Sequence, residues 1–202
     1  MQTKPRFRAL DLTLIGMFAA LMAIGANMTS WAPFLQVAGV PLSMQPFFAI
    51  LAGLLLGSRL GSLSMIVYLL IGIAGVPVFA QFKAGIGVIF GGTGGFLLSY
   101  IATAYIVGKL MEQKQNPPLP TFFVSSFVGI ILIYVIGTNY MYMAVNYWLE
   151  APMGYGTAWK VMASFALKDI AFTIFGALIA PRIYHAIHSS PYFSRQQKSI
   201  PS

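Results

Sequence analysis

Lys168 and Asp169 stand side by side near the middle of an apolar run. A charge there is expensive, and by default it marks a bundle interior or a watery cavity. The carboxylate suits hydrogen bonds from a ligand bearing N–H groups. The ammonium suits either a ligand carboxylate or the task of restraining the acid beside it. Adjacent residues on a helix project about 100° apart, so the two need not converge, and an ion pair that merely fixes helix packing is the competing reading. The run holds no second acid, and His185 and His188 fall beyond it, as solvated or headgroup-contacting residues of the tail. With no acid pair, no Ser/His pair at helical spacing and no cysteine, the sequence offers no catalytic constellation and no metal site.

The other candidate is the stretch 72–96, G-I-A-G-V-P-V-F-A-Q-F-K-A-G-I-G-V-I-F-G-G-T-G-G-F, with eight glycines, a proline and the single charge Lys83. It is too glycine-rich for a clean membrane helix and too apolar for a solvated loop. Irregular backbone packed against protein and lining a cavity fits it, as does ordinary close packing of small residues. Gly91-Gly92-Thr93-Gly94-Gly95 resembles a phosphate loop but is followed by Phe96, where a nucleotide-binding loop needs Lys and then Ser or Thr.

These residues need elements to hold them, and composition says which kind. Of 202 residues, 58% are hydrophobic and 8% charged, against roughly 25% charged in soluble domains. Apolar runs long enough to cross a bilayer make the chain a polytopic membrane protein of about six helices. The net charge of +8 comes from basic residues flanking apolar segments, which excludes a nucleic-acid groove reader.

The expected organisation is a basic leader at 1–8, a transmembrane domain at 9–184 and a polar tail at 185–202. The spans fall at about 10–26, 45–57, 60–73, 95–110, 121–142 and 159–180, the last stopped by Pro181-Arg182, with a Pro-rich linker at 117–120. Residues 45–73 read as a hairpin turning at Ser58-Arg59, because one long helix would strand Arg59 at its centre. A first span ending at Asn27-Met28-Thr29-Ser30-Trp31 reaches an interface, and an uncharged connector runs from Trp31 to Met44. In that span Gly16 with Ala20, and Ala19 with Ala23, form small-residue pairs that suit either a docking partner or packing within the bundle. With a cytoplasmic N-terminus, nine of the twelve Lys and Arg residues lie on the cytoplasmic side, so both termini are expected there and 72–96 outside.

The pattern Gly72-Ile73-Ala74-Gly75-Val76-Pro77-Val78-Phe79-Ala80, Gly85, then Gly91 to Phe96, with Val40 to Gln45 and Phe165 to Asp169, resembles the BioY family, the biotin-binding S components of energy-coupling-factor (ECF) transporters. The resemblance spans nearly the whole chain. It departs at Gly92 and Phe96, where the family commonly has Pro and Tyr, and at Phe172, where it has a lysine.

The resemblance implies a compact all-α bundle of six transmembrane helices in the plasma membrane. It would capture biotin from outside and dock on a membrane coupling protein carried by two ATPase subunits. No cofactor is implied, and biotin is cargo. In the family a helix-1 small-residue stripe is the docking surface, here Gly16, Ala19, Ala20 and Ala23. For biotin, Asp169, Gln81 and the Thr93–Gly95 backbone would meet the ureido ring, with Gly94 in that backbone. Phe79, Phe82 or Phe90 would meet the bicycle, and Lys83, Lys168 or Thr93 the carboxylate, while Gln45 completes the substrate-binding set. A close competitor is an S component for another small vitamin, and a non-transport assembly subunit is a rival of a different class.

Overall fold

The computed structural model describes residues 8–30, 36–37, 40–41, 43–114 and 116–188. Residues 1–7 of the basic leader, Trp31 with most of the connector after it, and the tail beyond residue 188 lie outside the described residues. Five helices carry the fold: α1 Ala9–Asn27, α2 Gln45–Ile73, α3 Gly94–Glu112, α4 Leu119–Tyr147 and α5 Tyr155–His188. All five are long and apolar enough to cross a membrane. A two-residue antiparallel pair, β1 Gln36–Val37 with β2 Val40–Pro41, lies in the connector between α1 and α2.

Asp11 at the start of α1 is a helix-start residue: its Oδ2 accepts the Arg8 backbone N–H at 3.0 Å, which places a carboxylate at the positive helix end. α4 begins inside the stretch read as a linker, with Leu119 and Pro120 in its first turn, where proline's missing N–H costs nothing. α5 corrects the expected end of the last span. Pro181 lies inside the helix, which continues to His188. Without water to take up freed backbone groups, a membrane helix keeps its neighbouring hydrogen bonds across a proline. His185 and His188 therefore belong to the last turn of α5, and the His188 ring stacks on Tyr184 at 3.8 Å between centroids.

α2 is interrupted at Gly57, whose φ of 78° and ψ of −178° are open to glycine and to little else. Its two halves, 45–56 and 58–73, lie back against each other. Gln45 Nε2 donates to Tyr68 Oη at 2.9 Å across 23 residues, a separation that a straight helix would stretch to about 35 Å. At the elbow the Glu112 carboxylate takes the Ser58 backbone N–H at 2.7 Å and the Ser58 hydroxyl at 2.8 Å, supplying the acceptors that a helix start lacks.

The core runs between α2, α3 and α4, with Phe18 and Met22 of α1, Phe165 of α5 and the loop residue Phe79 set into it. Residues 74–93 are irregular apart from two short 3-10 turns, Ala80–Phe82 and Ile86–Val88, in keeping with their glycine and proline content.

Candidate functional site

The buried acid sits at the centre of a polar cluster inside the bundle. Asp169 is only 5% exposed. Its Oδ1 is 2.7 Å from Lys168 Nζ, and its Oδ2 accepts the Tyr134 hydroxyl of α4 at 2.7 Å. Lys168 reaches its sequence neighbour by folding its long side chain back, and it also donates to the Ser43 carbonyl just before α2. Tyr100 of α3 is buried near Ser43 and Asp169. The ion pair thus lies among α3, α4, α5 and the residue just before α2.

Among the described residues, Asp169 has two of its roughly four acceptor positions filled and Lys168 two of its three donors. The cluster retains both acceptor and donor capacity next to each other. Tyr134 links it to an apolar cleft of about 270 Å³ between α4 and α5, lined also by Ile130, Ile131, Trp159, Ala163, Ala166 and Ile170.

A separate polar path runs from the start of α2 to the loop. Gln45 donates to Tyr68, and Tyr68 Oη donates to the Val78 carbonyl at 3.0 Å. The second half of the loop is held by the Tyr140 hydroxyl of α4, which donates to the Ile89 carbonyl at 2.7 Å, and by the indole of Trp148, just past the end of α4, which donates to the Phe90 carbonyl at 2.6 Å.

The residues expected from sequence to form one site divide into three groups. Asp169, Lys168 and Gln45 are in or next to the buried cluster. Gln81, Phe82, Lys83, Phe90 and Thr93 are exposed along the loop, with Phe82 at 51% and Phe90 at 59%. Phe79 and Gly94 are packing residues. Phe79 is 1% exposed, its ring seated on Gly72 and edge-on to Tyr68. A side chain at Gly94 would put its Cβ 1.7 Å from the Ile89 carbonyl oxygen, so glycine is needed where the loop turns into α3.

Tyr134, Tyr68, Tyr100 and Asn27 were missed. Tyrosines within apolar spans, away from the interfacial belts, were the available signal, since a buried hydroxyl demands a partner. The small-residue stripe also divides. Ala19 is buried against the core, whereas Gly16 and Ala20 are exposed and Ala23 is half-buried.

Five apolar helices among the described residues, with an ion pair buried in their bundle, define a multi-pass membrane protein with a polar site inside it. The chain belongs to the BioY family, whose profile matches residues 1–189. It is 52% identical over 194 residues to the putative biotin transporter BioYB of Bacillus subtilis, covering 96% of this chain and 97% of that one. It is 35% identical to the probable biotin transporter BioY of Lysinibacillus sphaericus, over 90% of each chain. The fold matches the crystal structure, at 2.1 Å, of the S-component for biotin from an ECF-type ABC transporter. The TM-score is 0.63 at 20% identity, covering 86% of this chain and 90% of that chain.

Proposed function

We propose that this protein captures biotin for uptake across the plasma membrane, as the substrate-binding component of an ECF-type transporter rather than as an enzyme. The observation that carries the reading is the Lys168–Asp169–Tyr134 cluster, buried in a BioY-family bundle with hydrogen-bonding capacity left over. A ureido ring presents two N–H donors and a carbonyl, the complement of a carboxylate beside an ammonium. The exposed loop residues Gln81, Phe82, Lys83, Phe90 and Thr93 would close over the remainder of the ligand, and Gln45 would support the loop through Tyr68. A coupling membrane protein would dock on the α1 face bearing Gly16, Ala20 and Ala23, and two ATPase subunits would drive release.

Calorimetric titration of the detergent-purified protein with biotin tests the capture step, and saturable one-to-one binding is expected. Folded protein that ignores biotin but binds another vitamin would overturn the substrate. Ala20→Leu should keep the parental isotherm while biotin uptake by cells falls. Unchanged uptake would remove α1 as the docking face.

Six membrane crossings, with both termini cytoplasmic, require α2 to cross twice through its elbow at Gly57. The chain has no cysteine, so single introduced thiols report sidedness cleanly. Ile86→Cys should react with an impermeant maleimide on intact cells, and Thr3→Cys only after the membrane is opened. Three crossings separate these positions if α2 counts twice. Labelling of both from the same side would mean that α2 crosses once.

A further inference from the structure

Residues 79–83 close into a tight turn. The Phe79 N–H donates to the Lys83 carbonyl at 3.1 Å, and the Lys83 N–H to the Ala80 carbonyl at 3.4 Å. Inside it, Gln81 at φ 62° and Phe82 at φ 53° occupy the left-handed region in succession. Side chains with a Cβ avoid that region, and a bulky ring in it is an outlier. Strain of this kind persists only where surrounding structure over-determines it, and such outliers cluster at ligand clamps and switches.

The over-determining residue is Asn27, at the last position of α1 and 4% exposed. Its Oδ1 accepts the Phe82 N–H at 2.8 Å, at the strained apex. Its Nδ2 donates to the Ala23 carbonyl at 3.0 Å and to the Val78 carbonyl at 3.3 Å, on the shoulder of the turn. The amide cannot flip, because a reversed group would set its own donors against the Phe82 N–H and its oxygen against two carbonyls. Val78 is gripped a second time by Tyr68. With the shoulder and apex fixed, the Phe79 ring points into the core, while Gln81, Phe82 and Lys83 are turned out to the surface.

We propose that Asn27 is a positioning residue of the capture loop. It holds the 79–83 turn in its left-handed form, so that Gln81, Phe82 and Lys83 are presented to the ligand before the ligand arrives. This rests on the biotin-capture reading. Its physical content is pre-organisation: a loop already in its binding form loses no affinity to a population of incompetent conformers.

Limited trypsin digestion reads the turn directly. Lys83 is the one basic residue in the 74–93 loop, and Lys114, exposed in the connector between α3 and α4, is an internal control. Asn27→Ala should speed cleavage after Lys83 by roughly tenfold or more, the order expected when hydrogen bonds closing a local unit are lost, and leave cleavage after Lys114 unchanged. Asn27→Asp keeps the acceptor for Phe82 and loses the donor to Val78, so it should fall between. Biotin affinity should weaken in the same order, mainly through slower association.

Faster cleavage at both lysines alike would make Asn27 a general stability residue and overturn the proposal. Faster cleavage at Lys83 with parental biotin affinity would overturn the role in capture. If Asn27→Ala does not fold, Asn27→Asp carries the same comparison. A parent that does not bind biotin sinks the functional reading, and the ratio of Lys83 to Lys114 cleavage still decides whether Asn27 holds the turn.

Discussion

Asp169→Asn is expected to weaken biotin binding by at least about thirtyfold, or about 2 kcal/mol, the cost of leaving one buried ligand N–H badly paired. An amide keeps the size of the side chain but offers one acceptor oxygen in place of two, and it aims donors at a site built around acceptance. A single substitution does not separate this from structural damage, because it also strands Lys168 beside Ser43 without its counter-charge. Breaking one side of a buried pair typically costs 3–5 kcal/mol, whereas replacing both partners with apolar residues is often neutral. The variant Lys168→Met with Asp169→Leu and Tyr134→Phe, which removes the hydroxyl that donates to Asp169 along with the ion pair, decides the matter. It should recover the thermal stability that Asp169→Asn loses and still fail to bind biotin in a calorimeter. If this triple variant binds like the parent, the cluster is helix packing and the ligand sits elsewhere.

What was legible in the sequence follows from which interactions are local. The hairpin in α2 could be read because a charge and flanking glycines interrupt an apolar run, and the backbone does turn at Gly57. The irregular loop could be read from its glycines, and Asp169 from the cost of its charge. The partners of these features could not. Tyr134 is 35 residues from Asp169, and Asn27 is 55 from Phe82. Nothing in an apolar helix reveals which tyrosine will turn inward. The phenylalanines of the loop carry the same lesson. Phe79 and Phe82 look alike in sequence, yet a left-handed turn between them buries one and exposes the other. Pro181 misled because a proline ends a helix where nothing holds the following turn, and here Tyr184, buried edge-on to Phe122 of α4, holds it.

Gly108→Ala is expected to be the most damaging small substitution at the contact between α3 and the elbow of α2. A Cβ there would lie 2.2 Å from the Ser58 nitrogen and 2.3 Å from the Gly57 carbonyl carbon, so backbone rather than a flexible side chain must move. The halves of α2 rise only about 18 and 24 Å, short of a hydrocarbon core of about 30 Å, which leaves the elbow near the edge of that core. There the Ser58 N–H depends on Glu112, one turn beyond Gly108 on α3. Pushing α3 away therefore adds a poorly solvated donor to the steric cost. Overpacking alone typically costs 1–3 kcal/mol, and losing the acceptor of a buried donor about 1–3 more. A combined loss of about 3 kcal/mol or more should lower the midpoint for loss of the monodisperse species in detergent by on the order of 10 °C. Gly16→Ala is the matched control, since nothing lies within 4 Å of the added methyl, and its midpoint should not fall. Equal midpoints for Gly108→Ala and the parent would mean that α3 does not rest on the elbow. The bent form of α2, and with it the count of six crossings, would then lose its structural support.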